Sequence, residues 1–451
     1  MPIPAAHARR NVYHFTHLKN LPGLLRNGFL AKNQQATRGV GHLSIAASGI
    51  QERRARTIVT CGPGGTVHDY VPFYFCKRSS MLLSVVNTKN VDQQFLVYFV
   101  FPIAFIREPH VVFSDASANT EEPPNFYSSP ADLIHLNWSA IDSLSWSLGE
   151  RLNRARMAEL LVRDYVDIRT VASIVVWNDG IERLVRDAYA EAGVAPPQIR
   201  TDSYHYFTKY PADVTESLVT GPYWTYQTYR DVVGYVTQRI GSVAAPPFSS
   251  LGQLLSALDQ HGLACLRETA ELIDLPSANE MHKEDVGNHT LQVVRALRGS
   301  REYQALPPND QRLVALSAYL HDIGKGPKSR WPDGIQKVDP DHPIGSAVML
   351  KRILTEEVAT MKPRSVRALV KLVCYHDIVG DIVAKGRDIE QLTSIADNER
   401  ELDMLIALGK ADMRSVQPAW GIFGSQIHDL KMQVLAELKV QDTMPYEEEP
   451  A

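Results

Sequence analysis

The sequence predicts two folds in tandem, an α+β domain followed by an all-α domain, and three observations carry that expectation. The 451 residues are more than one ordinary core fills. Up to about residue 212, short β-branched and aromatic runs alternate with helical stretches. Beyond about residue 245, nearly every segment repeats its apolar residues at three- and four-residue steps. The stretch between them is aromatic (GPYWTYQTYRDVVGYV) and ends in AAPPFSS, whose prolines mark a boundary. The expected organisation is a domain over 1–212, a connecting segment over 213–245 and a helical domain over 246–445.

In the first domain Ile58-Val59, VPFYF at 71–75, FLVYFVF at 95–101 and SIVVW at 173–177 read as strands. NLPGLLRNGFL at 20–30 and LVRDAYAEA at 184–192 read as helices. The stretch from Phe113 to Pro130, rich in Asp, Ser, Asn and Pro, reads as a long exposed loop of the kind that often serves function. In the second domain Leu313, Leu316, Leu320 and Ile323 share one helical face, as do Leu405 and Leu408. The acidic end, EEEPA, reads as frayed.

Composition narrows the function. With 44% hydrophobic and 22% charged residues the chain is an ordinary globular one. A net charge of -4 argues against a broad basic surface on duplex DNA but leaves room for a local groove holding a single strand, where stacking carries much of the binding. Cys61, Cys76, Cys265 and Cys374 stand apart with no CxxC pair, which fits a reducing compartment and offers neither a zinc knuckle nor a disulfide frame. The start, MPIPAAHARRNVYHF, lacks the apolar centre of a secretory signal, and no apolar run is long enough to span a bilayer. The expected location is the cytoplasm, with no membrane partner.

The helical half carries a metal-ligand pattern readable from the residues alone. His321-Asp322 ends an apolar stretch, His289 precedes apolar residues at 291, 293, 294 and 297, His376 follows the stripe of Val366, Leu369 and Val373, and Asp412 continues that of Leu405 and Leu408. A carboxylate on a buried stripe costs several kcal/mol, on the order of a buried unpaired charge, unless something positive meets it. One such His is usually a hydrogen-bonded core residue and one such Asp a helix cap. Several in one helical domain point to a divalent metal held by His and Asp.

The order His289, His321-Asp322, Asp412, carried by HTLQVVRAL, LSAYLHDIGKGPK and KADMR over about 250–440, resembles the HD superfamily of metal-dependent phosphohydrolases. The resemblance implies one or two divalent ions, held by those residues with His342 of DHPIGSA and His376 of YHDIVG. The GYP element of cyclic-dinucleotide phosphodiesterases is absent, and the segment also looks like HD domains joined to tRNA-processing nucleotidyltransferases. Lys325 suits a phosphate contact or a plain surface position, and Asp377 is expected to support the site rather than ligate.

In the first half, YHFTH at 13–17 taken alone is a strand with hydrogen-bonding histidines, Glu159 an exposed carboxylate and IQERRAR at 50–56 a solvated helix face. Their company changes the reading. YHFTHLKNLPGLLRNGFLAKNQ, IQERR, GGTVHDYVPFYFCKRSSML and RARMAELLV, in that order over about 10–207, closely resemble the DarT family, toxins that transfer ADP-ribose from NAD onto a base of single-stranded DNA and are countered by an antitoxin. The resemblance implies a catalytic pair of Arg54 and Glu159, with NAD as the substrate. It implies NAD contacts from His14, Phe15, Thr16, Gly23, Leu30 and Arg54, a cover over the dinucleotide from about Gln35 to Arg56, and a substrate-recognition loop over 113–130. The forms YHFTH and IQERR sit nearer the thymidine-modifying branch. The implied partners are single-stranded DNA, NAD and an antitoxin protein. A different reading makes the first half a non-catalytic NAD or nucleic-acid binding module beside an HD enzyme, and a third makes the HD domain a metal-stapled scaffold.

Overall fold

The computed structural model describes residues 2–45, 48–118, 123–145, 149–209, 216–278, 284–416 and 422–443. It divides into two compact units that meet between Gly221 and Pro222. The EEEPA end lies outside the described residues.

The first unit is built on strands β1 (Asn11–His17), β2 (Phe29–Leu30), β3 (Tyr70–Tyr74), β4 (Leu96–Pro102), β5 (Val111–Ser114), β6 (Phe126–Tyr127), β7 (Glu159–Arg163), β8 (Tyr165–Val166), β9 (Ser173–Val176) and β10 (Gln198–Thr201). Eight of them form one sheet in the order β10-β9-β4-β1-β3-β7-β5-β6, and β2 pairs separately with β8. The β9–β10 pairing is parallel and the other sheet pairings are antiparallel. Leu96 to Phe101 are all buried, which explains why this strand reads as an unbroken apolar run rather than an alternation.

Two expected elements change character. The helix expected over 20–30 spans only Leu21–Asn27 and stops at Gly28, whose φ is +69°. A Cβ at Gly28 would collide with the Tyr165 ring and lie 2.7 Å from the Val166 carbonyl, so glycine lets Phe29–Leu30 turn into strand and pair with Tyr165–Val166. The loop expected over 113–130 is in part a hairpin: Phe113 pairs with Tyr127 and Ser114 with Phe126, while 119–122 lie outside the described residues. Asp115 closes this turn, accepting from the backbone N and Nδ2 of Asn125.

Among the described residues the second unit is mainly helical, with a short parallel strand pair, Phe248–Ser250 with Val358–Thr360, and a parallel bridge between Ser277 and Gln336. Its core gathers residues from the helices Pro222–Arg239, Leu251–His261, Val286–Arg298, Pro308–Leu320, His342–Arg352, Pro363–Cys374 and Glu399–Val416. The stretch 213–245, expected as a connector, supplies the first of these helices, and its Tyr229, Val232 and Val236 are buried in that core.

Two glycines set the spacing of the helices that carry the histidines. A Cβ on Gly324 would collide with the His342 carbonyl and the Ser346 nitrogen, so the His321-Asp322 turn lies flush against the start of the His342 helix. A Cβ on Gly409 would lie 2.9 Å from the Val379 Cβ, so the helix bearing Asp412 approaches the segment after His376 closely. Among the described residues, no helix is long and apolar enough to cross a membrane.

Candidate active sites

Glu159 is the first residue of β7, and the sheet register sets it opposite Tyr74 of β3. It is 1% exposed, and its backbone N–H donates to Ser114 Oγ. A buried carboxylate needs a positive partner, and Arg54 provides it from the end of the helix Ser48–Arg56. Arg54 Nη1 donates to Glu159 Oε1 at 2.7 Å and Nη2 to Oε2 at 2.8 Å, a two-bonded fork. Burial, the largest single influence, works against the guanidinium's charge, but the charge and the hydrogen bonds of Glu159 together outweigh it and raise the Arg54 pKa. Arg54 is a permanent cation here.

Beside this pair runs a cleft of about 150 Å³ lined by His14, Phe15, Thr16, Leu30, Tyr74 and Arg54 among others. Burial pushes the His14 ring down to about 4, so it is neutral at physiological pH. Its Nδ1 lies 2.8 Å from the Pro72 carbonyl; a carbonyl only accepts, so the proton sits on Nδ1 and Nε2 is left as an acceptor. The segment 35–56 does border this cleft, through Gln35, His42, Ser44, Ile45, Gln51 and Arg54. Of the residues expected around a dinucleotide, five line the cleft and Gly23 does not; its neighbour Leu24 takes that place.

Sequence reasoning missed the residue that ties the cover down. Asn20 is buried; its Nδ2 donates to Thr16 Oγ1 at 2.8 Å and to the Leu43 carbonyl at 3.0 Å, and its Oδ1 accepts from the Leu43 N–H at 2.8 Å. One side chain thus joins β1 to the segment over the cleft. It also missed Tyr74, which the alternation within VPFYF could have set on the same face as Pro72.

In the second unit the six expected metal residues converge. His289 lies in the helix Val286–Arg298, Asp412 in Glu399–Val416, His342 opens its own helix, and His321 and His376 follow the ends of two others. His289 Nε2 is 3.1 Å from Asp412 Oδ1, and His342 Nε2 is 3.2 Å from Asp322 Oδ1. The groups His289–His321–Asp412, His321–Asp322–His376 and His342–His376–Asp377 each bring their ligand atoms within 4.8 Å of one another. Asp377, expected only to support, belongs to the last of these.

The donor set fits a cation. His321, His342 and His376 each place Nδ1 at 2.7–2.8 Å from a backbone carbonyl, those of Ala318, Asp339 and Val373. Nδ1 therefore carries the proton, and in the neutral ring Nε2 presents a lone pair, the arrangement of a metal-bound imidazole. The Nε2 atoms of His342 and His376 face each other at 3.1 Å, each on the side of its ring away from the carbonyl-bonded Nδ1. His321 Nε2 and Asp322 Oδ1 are buried with no hydrogen-bond partner among the described residues. At His321 burial lowers the pKa and the Asp322 charge raises it, with a net rise, so a proton and a metal compete for the same nitrogen. Lys325 is not a plain surface lysine: it is 9% exposed and its Nζ donates to Asp322 Oδ2 at 2.7 Å.

Each unit matches a described family. Residues 13–208 match the family described as ssDNA thymidine ADP-ribosyltransferase, DarT, and residues 286–401 match the HD domain. A DNA ADP-ribosyl transferase of Thermus aquaticus is 34% identical over 216 residues, covering 46% of this chain and 91% of the relative. A bifunctional uridylyltransferase/uridylyl-removing enzyme of Mycobacterium tuberculosis is 29% identical over 185 residues, 39% of this chain and 21% of the relative. A structure of Thermus sp. 2.9 DarT in complex with NAD+ has 27% identity and a TM-score of 0.40, covering 46% of this chain and all of that one. With nine-tenths of the Thermus aquaticus enzyme covered at this identity, the chain belongs to the DarT family of DNA ADP-ribosyltransferases, and it carries an HD domain in its second unit.

Proposed function

We propose that the first unit transfers ADP-ribose from NAD to a thymidine base of single-stranded DNA, with Glu159 and Arg54 as its catalytic pair. The observation that carries this reading is the buried fork by which Arg54, a wall residue of the His14–Tyr74 cleft, holds Glu159 behind that wall. In the reaction the bond between ribose C1′ and the nicotinamide nitrogen breaks, a bond from C1′ to a base nitrogen forms, and that nitrogen's proton is released. Positive charge builds on the ribose as the first bond lengthens, and a carboxylate held rigidly beside it stabilises that charge. Glu159 has that role. Arg54, a permanent cation, orients the dinucleotide and favours the deprotonated base electrostatically rather than taking up the proton itself. The His14 Nε2 lone pair and the backbone of β1 supply polar edges for the dinucleotide, and the segment tied down by Asn20 excludes water.

The second unit is proposed to hydrolyse a phosphoester, with His289, His321, Asp322, His342, His376 and Asp412 holding one or two divalent ions. A bound ion lowers the pKa of its water toward neutrality and polarises the phosphoryl oxygen. The uridylyl-removing activity in the mycobacterial relative's name supports a nucleotidyl phosphoester as the substrate class. A cytoplasmic toxin restrained by a separate antitoxin is the biological setting this reading suggests. The decisive experiment is mass spectrometry of a defined single-stranded oligonucleotide after incubation with NAD. Wild type adds the mass of one ADP-ribose and Glu159→Ala does not; equal labelling by both would refute the site.

A further inference from the structure

A second cavity in the first unit lies beside the same catalytic strand pair. It encloses about 360 Å³ and is lined by Arg9, Arg10, Lys77, Arg78 and Arg156, by one carboxylate, Asp142, and by neighbours that include Cys76. Five cations around one hollow stand out in a chain whose net charge is -4.

Their partners differ in a way that matters. Arg10 is neutralised by Asp142, with two bonds of 2.7 Å, and Lys77 by Asp202 at 3.3 Å. Arg78 and Arg156 have no ion pair among the described residues. Arg78 Nη1 and Nη2 reach the carbonyls of Tyr206 and Leu144 at 3.5 and 3.4 Å and the guanidinium lies over the Phe207 ring, while Arg156 Nη1 donates to the Ser145 carbonyl at 2.6 Å and the Cys76 thiol lies beside it. Arg156 is 5% exposed, and its Nε is buried without a hydrogen-bond partner. Burial and the charge of Arg156 lower the Arg78 pKa, so the two guanidiniums repel each other. Two repelling guanidiniums, one of them buried with a donor unused, are stabilised by an anion between them.

The position of the cavity says which anion. Arg156 is three residues before Glu159, and Phe75 N–H reaches the Ala158 carbonyl at 3.5 Å, so the bend Phe75–Arg78, which follows directly on the strand that carries Tyr74, starts beside the approach to Glu159. Tyr74 lines the His14 cleft, while Phe75 and Cys76 line the basic cavity. The two cavities therefore flank the Tyr74–Glu159 register pair. We propose that the basic cavity seats a backbone phosphate of the single-stranded DNA next to the target base, with Arg78 and Arg156 as its donors. This assignment rests on the transferase reading given above. A guanidinium fork matches a phosphodiester's two oxygens and reads no base, so the subsite positions the strand rather than selecting its sequence.

The test uses the full-length protein and a fluorescein-labelled single-stranded 12-mer without NAD, titrated over a series of salt concentrations. Arg78→Gln and Arg156→Gln are each expected to weaken binding by about tenfold, the loss of one charge-assisted contact. Each should also make the slope of log Kd against log salt shallower by about one. Arg78→Lys should keep the salt slope while recovering only part of the affinity. Because Arg156 also holds the Ser145 carbonyl, Arg78→Gln carries the test if Arg156→Gln fails to fold. NAD affinity, titrated in parallel, should be unchanged by Arg78→Gln. If wild type labels the oligonucleotide from NAD while Arg78→Gln binds it with parental affinity and salt slope, the subsite is wrong and the transferase reading stands. If wild type neither binds nor labels the strand, both are overturned.

Discussion

Arg54 and Glu159 stand 105 residues apart in the chain and meet as a fork of two hydrogen bonds in which neither side chain is more than about a tenth exposed. Such a pair is strongly coupled, because removing one member leaves the other's charge buried. Glu159→Gln keeps the shape and removes the charge, and should lower ADP-ribose transfer by roughly 10² to 10³-fold, the loss typical of one electrostatic stabiliser. Arg54→Ala should destabilise the first unit by about 3–5 kcal/mol, and the double change Arg54→Met/Glu159→Gln by less than Arg54→Ala alone. Urea unfolding checks the second statement. Equal stability for the single and double variants would mean that the pair is not buried as described.

Asn20 makes three hydrogen bonds that join Thr16 to the Leu43 backbone. Asn20→Ala removes three hydrogen bonds, two of them to the part-buried backbone of Leu43, at about 1–3 kcal/mol in all. NAD affinity should fall about tenfold, with kcat reduced less than kcat/KM. Calorimetric titration of NAD against the variant reads this directly, and parental affinity would detach the cover from dinucleotide binding.

Asp322 reaches His342, His289, His321 and Lys325. Asp322→Ala should abolish bound metal, read by elemental analysis, and metal-dependent phosphohydrolysis, while the labelling of DNA from NAD persists. A chelator should do the same to the wild type. Loss of DNA labelling in either case would show that the two sites are not chemically separate.

Gly324 leaves no room for a side chain between the His321-Asp322 turn and the His342 helix. Gly324→Ala should force that helix outward, costing about 1–3 kcal/mol of stability and separating Asp322 from His342. Metal affinity should fall more than stability does. A variant that retains metal at the parental level would place the ligands on some other arrangement.

His14 is held at about 4, below the ordinary histidine value of 6.5, because it is buried. The sign follows from linkage: the unfolded chain takes up a proton below about 6.5 and the folded ring does not until about 4. Stability of the first unit therefore falls as pH drops across that window, with about one proton taken up on unfolding. His14→Gln should remove that portion of the pH dependence. Urea midpoints at pH 7 and pH 4.5, compared between wild type and variant, test it.

Much of the molecule was legible in residue order. The helical stripes that place His289, His376 and Asp412 on buried faces depend only on local periodicity, and the chemistry of an imidazole or carboxylate on such a face follows from burial cost alone. The run FLVYFVF was legible as a strand from its β-branched and aromatic residues, and the structure buries Leu96 to Phe101 throughout. Local signals also misled where a distant contact decides the conformation. NLPGLLRNGFL keeps helical spacing to its end, yet Gly28 breaks it so that Phe29–Leu30 can pair with Tyr165–Val166, far along the chain.

The sequence by itself determined which chemical groups are present and on which face of each element they lie. Only the tertiary structure decided that Arg54 meets Glu159, that Asn20 fastens the cover, that Asp377 joins the metal cluster and that Arg78 and Arg156 line one hollow with no ion pair of their own among the described residues. The physical reason is that periodicity reports an element's own burial, whereas these pairings depend on strand register and on helix approach distances set by residues such as Gly324, which no local pattern encodes.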